Sequence, residues 1–465
     1  MRLSTKAIGL VAVTAWLDFV SCLPTSGRET DDDDVINRDV AVIGGGSSGT
    51  YAAVRLQELG HSVVLVEKQD QLGGHTRTYY DPSGTPIDYG VWVFSNNSVA
   101  DHYFEYLDIP LTGQTFDRDP ALSVRFDLRT GEPVEPPEGD TNAALARYVG
   151  VLSLYPYLAY GWDLPDPVPE DLLLPFGEFI ENYDLAAAVE TLTLYVQGYA
   201  DILNYPTVYI MKYFNMNVVL GGQFGFSRPA SLANSDIYRA AERILGDDVL
   251  LNSHVAQLHR SENDSEPHRI LVNTPDGQKR IRAEKLIIAM PPLPWNLRNF
   301  DLDHREYSLF NRFQSSGYYT SIVNITGLPP QQILNRGADT PYNITPIPGS
   351  YIFFPSPVQD LYVTYLGGGD GWLAQRKVQG LMADNALSLR NAGYPVSEPE
   401  FVAYDDHFPF GLHVSADEIR DGFYSDLYAL QGHRGTFYTG AAFHEHDSAA
   451  LWRFTERVLD EWVLA

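Results

Sequence analysis

The sequence predicts an α/β fold organised around a parallel sheet, and three observations carry that prediction. A β-rich run, Val40, Val42 and Ile43, leads straight into a glycine turn. Gly44, Gly46 and Gly49 fall at G-x-G-x-x-G spacing, and Ala52, Ala53, Leu56 and Leu59 follow at helical intervals. A second strand, Ser62 to Val66, then ends on an acid, Glu67. Glycine spacing alone is weak, because glycine turns are common. Strand, turn, helix, strand and acid in that order point to a Rossmann-type dinucleotide unit.

Each glycine has its own mechanical reason: a tight turn, close approach of backbone to a pyrophosphate, and close contact of helix with strand. The helix start adds unpaired N–H groups and a positive dipole end beneath the phosphates. Glu67 is placed to bind ribose hydroxyls, and its charge repels a 2′-phosphate, which disfavours NADP. A second glycine pair, Gly73 and Gly74 in "QLGGHTRT", follows too soon for a nicotinamide enzyme to need it.

Beyond it, "TPIDYGVWVF" precedes a helical reading through "SVADHYFEYLDIPLT". From Leu152 to about Gly222 the chain is rich in Tyr, Leu and Pro, with helical stretches such as "FGEFIENYDLAAAVETLTLYVQGYADIL". "SDIYRAAERILGDDVLLNSHVAQLHR" reads helix, strand, strand. "RILVNTPDGQKRIRAEKLIIAMPP" reads as a hairpin turning at Pro275 to Gly277, with a buried strand after it. Short strands recur at "YTSIVNIT", "SYIFFP" and "LYVTYLGGG". The chain ends in a strand, a loop and an amphipathic helix, "GTFYTGAAFHEHDSAALWRFTERVLDEWVLA".

The 465 residues allow two or three packed units, and 44% hydrophobic with 12% aromatic content is that of a large core. A formal net charge of -28 argues against a nucleic-acid partner. Arg2 and Lys6 precede the apolar run "AIGLVAVTAWLDFV", and small residues around Ser21 and Cys22 offer a cleavage site. That is the layout of a secretory signal peptide over residues 1–24, and no later stretch is apolar enough for a stable membrane anchor. Cys22 is the only cysteine, so a processed chain holds no intramolecular disulfide. N-x-S/T sequons at Asn96, Asn263, Asn324 and Asn343 fit glycosylation on a secreted route.

At "QLGGHTRT", and again at "IDYGVWVF", "LLNSHVAQL", "LIIAMPP" and "GTFYTGAAF", the chain resembles the flavin-containing amine oxidase superfamily. Within it, the chain is similar to secreted fungal oxidoreductases of the β-cyclopiazonate dehydrogenase type, with bacterial polyenoic fatty-acid isomerases more distant. The resemblance implies FAD as the dinucleotide. It implies a discontinuous Rossmann-type FAD-binding domain over residues 36–110, 228–300 and 415–465. A mixed α+β substrate domain is then inserted over 111–227 and 301–414. Gly44, Gly46 and Gly49 would hold the pyrophosphate, Glu67 the adenosine ribose, and Gly73 and Gly74 would face the cofactor with Arg77 nearby. Val255 would meet the adenine through its backbone, and Gly440 and Ala441 the ribityl chain. The helix start Asp447, Ser448, Ala449 would face the flavin pyrimidine end, where a positive dipole end suits reduced flavin.

Two departures bear on chemistry. His75 stands directly after the glycine pair, where many members of the superfamily have arginine. The stretch "SSGYYTSIVNIT" lacks the lysine that amine oxidases of the superfamily place near flavin N5. Expected substrate walls are Tyr319, Thr320 and "DHFPF" with Phe408, and the expected acid–base groups are His444 and His446. The H-x-H spacing of that last pair can chelate, but its place beside the flavin segment favours a pocket loop, and no metal is expected. The expected reaction is dehydrogenation of a small, apolar natural product by hydride transfer, with the electron acceptor open. Amine oxidation, double-bond isomerisation of a lipid-like substrate, and metabolite binding without turnover also stand.

Overall fold

A computed structural model describes residues 35–116, 120–261 and 266–465. The leader read over residues 1–24, Cys22 and the sequon at Asn263 lie outside the described residues.

Two sheets organise the molecule. The first is built on β1 (Val35–Ile43), which enters α1 (Ser47–Glu58) and returns as β2 (Val63–Val66). β1 pairs in parallel with β2 on one side and with the long strand Gly277–Ile288 on the other. Val249–Leu250 extends the sheet beyond β2, and Thr436–Tyr438 extends it beyond Gly277–Ile288, both in parallel. The hairpin strands His254–His259 and His268–Thr274 add on antiparallel. Val63 to Val66 and Val40 to Ile43 are buried throughout, as expected of parallel strands covered on both faces.

The second sheet has eight strands, running from Glu400–Asp406 through Gln314–Asn324, Leu361–Asp370, Gly349–Pro355 and Gln332–Asn335 to Ser123–Asp127 and Glu132–Pro133. Phe410–His413 pairs with the start of Gln314–Asn324. Alternation along the strands gives this sheet two unlike faces. One carries Tyr319, Leu366 and the helix residues Val378 and Met382. The other carries Tyr318, Ile322, Val363 and Tyr365 against Ile87, Tyr79, Tyr89 and Trp92 of the N-terminal segment. That second face looks toward the nucleotide unit.

Two helical readings are shortened. The helix capped by Asn97 covers Ser98–Tyr106 only, because Asp108 takes a positive φ of 55° and Pro110 follows. The long reading after Phe176 breaks into Phe176–Asn182 and Val189–Tyr195, with Asp184 at φ 51° and Gly198 at φ 95° ending the two runs. Among the described residues no helix is long and apolar enough to cross a membrane.

Candidate active site

A cavity of about 590 Å³ opens at the carboxyl ends of the parallel strands, where Ile43, Val66 and Ala289 reach it. Ligands of doubly wound sheets bind at this edge. Gly44 and Gly46 line it, and Gly46 forms the helix start with no capping side chain and no acid in the first turn of α1. The N–H groups there are open to an anion. The Ser48 hydroxyl also lines the cavity, buried and without a protein partner. Gly49 lies behind this edge. A Cβ on it would stand 1.9 Å from the Gly44 carbonyl oxygen, so its role is helix–strand contact.

The second glycine pair stacks on the first turn. The Gly73 N–H donates to the Gly45 carbonyl over 2.8 Å, and Gly73 and Gly74 hold φ values of 117° and 55°. A Cβ on Gly74 would lie 3.0 Å from the Gly46 Cα. Two bare backbones therefore share one wall, which accounts for the second pair. Glu67, 6% exposed, lines the same wall. Its two oxygens accept from the Gly45 N–H at 2.6 Å and the Gln69 N–H at 2.8 Å. Val255 lies in the wall too, its carbonyl accepting from Asn299 Nδ2 at 3.0 Å.

Gly440, Ala441 and Ser448 close the cavity from the C-terminal segment. Asp447 and Ala449 differ from the expectation. The Asp447 carboxylate caps the helix Ser448–Val458, accepting from Ala449 N–H at 2.8 Å and Ala450 N–H at 3.1 Å and from the Ser95 hydroxyl. It thereby uses two N–H groups that would otherwise face a ligand, and Ala449 is fully buried. Arg77 also stands back, bracing Asp405 at 3.1 Å and Gln69.

The two histidines of "FHEHD" go to opposite sides. His446 lines the cavity, stacked on Phe410 with ring centroids 4.0 Å apart. Its Nε2 accepts from the Gly411 N–H at 3.2 Å, and burial pushes its pKa down to about 3, so the ring is neutral with its proton on Nδ1. His444 was expected to join it in acid–base work. Instead it is 2% exposed and packed away from the cavity, with Nδ1 3.1 Å from Lys212 Nζ.

Asp303, Glu306 and His433 do approach one another elsewhere. There Glu306 is answered by Arg260 and Tyr438, and Asp303 caps a helix.

His75 lines the cavity beside Gly74. Its ring stacks on His407 at 4.1 Å with 15° between planes, and His407 Nε2 lies 3.1 Å from Asp405 Oδ2. Burial, then the neighbouring His407 and His446, hold the His75 pKa well below its ordinary value.

A family model for flavin containing amine oxidoreductase matches residues 47–407. The chain belongs to that family. As a flavin amine oxidoreductase it is 37% identical to the FAD-dependent oxidoreductase oblC of Cochliobolus heterostrophus, covering 96% of this chain and 97% of the relative. It is 39% identical to the FAD-dependent oxidoreductase dbaF of Emericella nidulans, over 94% of this chain and 93% of that one. It is also 35% identical to beta-cyclopiazonate dehydrogenase of Aspergillus oryzae, over 92% and 93% of the two chains.

Among solved structures, a CLA-producing fatty acid isomerase from P. acnes superposes with a TM-score of 0.74 at 19% identity, covering 91% of this chain and 98% of that one. Putrescine oxidase bound to putrescine gives 0.63 at 18%, over 92% and 99%. At those identities the likeness is one of fold.

The flavin amine oxidoreductase is thus an FAD-dependent enzyme, and its cavity fits the cofactor. The uncapped start of α1 and the unpartnered Ser48 hydroxyl suit a pyrophosphate, and Glu67 suits a ribose. The paired glycines remove every Cβ that would fill the wall between them. The substrate side needs one correction. Tyr319 does not face the cavity: it is fully buried on the far face, and its hydroxyl accepts from the Leu373 N–H at 2.6 Å. Tyr318 takes the inner position, with Thr320 two residues on and paired with Tyr365. The Thr320 hydroxyl is buried without a partner. Phe408 lines the cavity as expected.

Proposed function

We propose that this enzyme dehydrogenates a small, flat, apolar natural product in fungal secondary metabolism, removing a hydride and a proton from neighbouring atoms. The observation that carries the reading is a wall of rings that reaches the cavity at His446 and in which two tyrosine hydroxyls are already used. Tyr318 donates its hydroxyl to Gln197 at 3.0 Å. The Tyr351 hydroxyl accepts from Gly198 N–H at 3.1 Å and donates to the Tyr199 carbonyl at 3.3 Å. Phe410 and His446 complete the wall. Apart from the buried Thr320 and Tyr365 hydroxyls, mostly ring faces stand beside His446, which suits an apolar, planar molecule.

When bound, FAD supplies the hydride acceptor. His75 is the group placed to take the proton, because it lines the cavity and its ring is held there by stacking on His407. His446 presents only a donor at Nδ1 and orients the substrate. The wall excludes water around the donor carbon.

Anaerobic mixing of the holoenzyme with flat natural products, β-cyclopiazonate among them, tests the reading by absorbance. Lasting bleaching of the flavin band with an unsaturated product is the expected result. His75→Gln should slow that bleaching by roughly a hundredfold, the lower end of general-base effects, with FAD content unchanged. Product without bleaching means an isomerase instead. Bleaching by putrescine alone means an amine oxidase, and no response to any compound means a binding protein.

The same reading sends the chain along the secretory pathway, supported by the leader-like N-terminus and by an exposed sequon at Asn324. The Asn343 and Asn96 amides are engaged, with Gly337 at 3.0 Å and Gly225 at 3.1 Å. Glycan is therefore expected first at Asn324. Glycosidase treatment of secreted protein, read by peptide mass, checks it; an unmodified Asn324 removes this support.

A further inference from the structure

Behind the cofactor cavity lies a buried group of charged side chains that takes no part in the proposed chemistry. The loop from Gly440 to Ser448 touches the cavity on both sides of His444 and Glu445: Gly440, Ala441 and Ala442 before them, His446 and Ser448 after. Three consecutive loop residues are held by one short stretch of the substrate domain, the end of the helix Thr207–Tyr213 and the cap that follows. Lys212 Nζ stands 3.1 Å from His444 Nδ1. Asn215 Nδ2 donates to both Glu445 oxygens, at 3.0 and 2.9 Å. Tyr213 meets the His446 ring edge-on with centroids 6.0 Å apart.

Lys212 has its other N–H groups on the Leu158 and Gly161 carbonyls, at 2.9 and 2.8 Å, and lies 4.5 Å from the Trp162 ring centre. Lys212, Asn215, His444 and Glu445 are all under 5% exposed. Charges are not buried this completely without a strong geometric return, because each loses its hydration.

We infer that Lys212 and Asn215 are positioning residues that clamp the loop Gly440–Ser448, and with it His446, against bound FAD. The inference rests on FAD occupying the cavity and not on the substrate proposed above.

The clamp has a built-in pH limit. Burial lowers Lys212 to about 8 and raises Glu445 to about 8, and burial with Lys212 beside it holds His444 well below its ordinary value. Asp163, Arg453, Arg457 and Asp447 are the other charges acting on this group. Near neutral pH Glu445 is buried with its proton on, near the Lys212 ammonium. Because burial raises the clamped Glu445 pKa above its ordinary value, the clamped state is favoured at low pH and that preference is lost as pH rises over the range up to about 8. The clamp should loosen there.

The experiment follows FAD release from the holoenzyme after dilution, by the fluorescence of free FAD, together with flavin circular dichroism in the visible. No substrate is needed, so the result is independent of the proposed reaction. Release should accelerate with pH by up to about tenfold per unit below pH 8 and stop accelerating above it, as loss of one proton requires. Glu445→Gln, which keeps the shape and the Asn215 contact, should flatten that profile. Lys212→Met should release FAD at least about tenfold faster at neutral pH and alter the flavin dichroism. A flat wild-type profile overturns the inference. So does a Glu445→Gln protein with the wild-type profile, and that variant decides the matter if Lys212→Met fails to fold.

Discussion

Glu67→Ala is expected to give a folded protein that has lost its FAD. The Glu67 carboxylate is 6% exposed and does two jobs at once. It receives the N–H groups of Gly45 and Gln69, at 2.6 and 2.8 Å, which fixes the glycine turn relative to the end of β2. Glu67 also lines the cavity, where its remaining acceptor capacity suits ribose hydroxyls. Hydrogen bonds to a charged acceptor contribute roughly 1.5–3 kcal/mol each. Loss of two ribose contacts therefore weakens FAD binding by roughly two to four orders of magnitude. The orphaned Gly45 N–H adds to the loss by freeing the turn. The first sheet retains its buried apolar strands, so the far-UV spectrum should stay unchanged. The decisive quantity is FAD per polypeptide after gel filtration: stoichiometric flavin in the variant would remove Glu67 from the cofactor site.

The cofactor wall was legible in the sequence because its residues lie close together along the chain and have steric reasons to be glycine. Gly44, Gly46, Gly73 and Gly74 are all within one strand–helix–strand unit, and Glu67 is fixed by where β2 ends. The substrate side was harder for a definite reason. Tyr318 and Tyr319 are equivalent by composition, and only the sheet decides which faces inward. That choice turns on a register shift between Gly317 and Tyr318, which depends on the partner strand Leu361–Asp370. His444 and His446 share one local motif, yet one meets Lys212, 232 residues away, and the other meets Gly411. No spacing rule announces a contact of that range. The Asp447 cap was missed differently. The helix start was recognised from its pattern, but Asp447 was read as part of a ligand site when its own carboxylate closes the N–H groups behind it.

From the same geometry, the reduced enzyme is expected to react slowly with oxygen. Electron transfer to oxygen builds negative charge on it, and a fixed cation nearby lowers that barrier. Preorganised charge of this kind contributes roughly 3–4 kcal/mol, or a few hundredfold in rate. The cavity's cations are Lys68, beside Glu67, and Arg298, beside the Asn299 that holds Val255; both belong to the end assigned to the adenosine. At the other end stand His75 and His446, and burial keeps both neutral at ordinary pH. Lys212 is the nearest lysine to the loop that carries His446, but its donors are spent on Leu158, Gly161 and His444, outside the cavity lining. Photoreduced holoenzyme mixed with aerated buffer in a stopped-flow instrument should reoxidise a few hundredfold more slowly than an oxidase with a fixed cation beside its flavin. An artificial acceptor should restore rapid turnover. Reoxidation matching that oxidase would mean that a histidine charges on reduction, with His75 the first group to replace. The enzyme would then be an oxidase rather than a dehydrogenase.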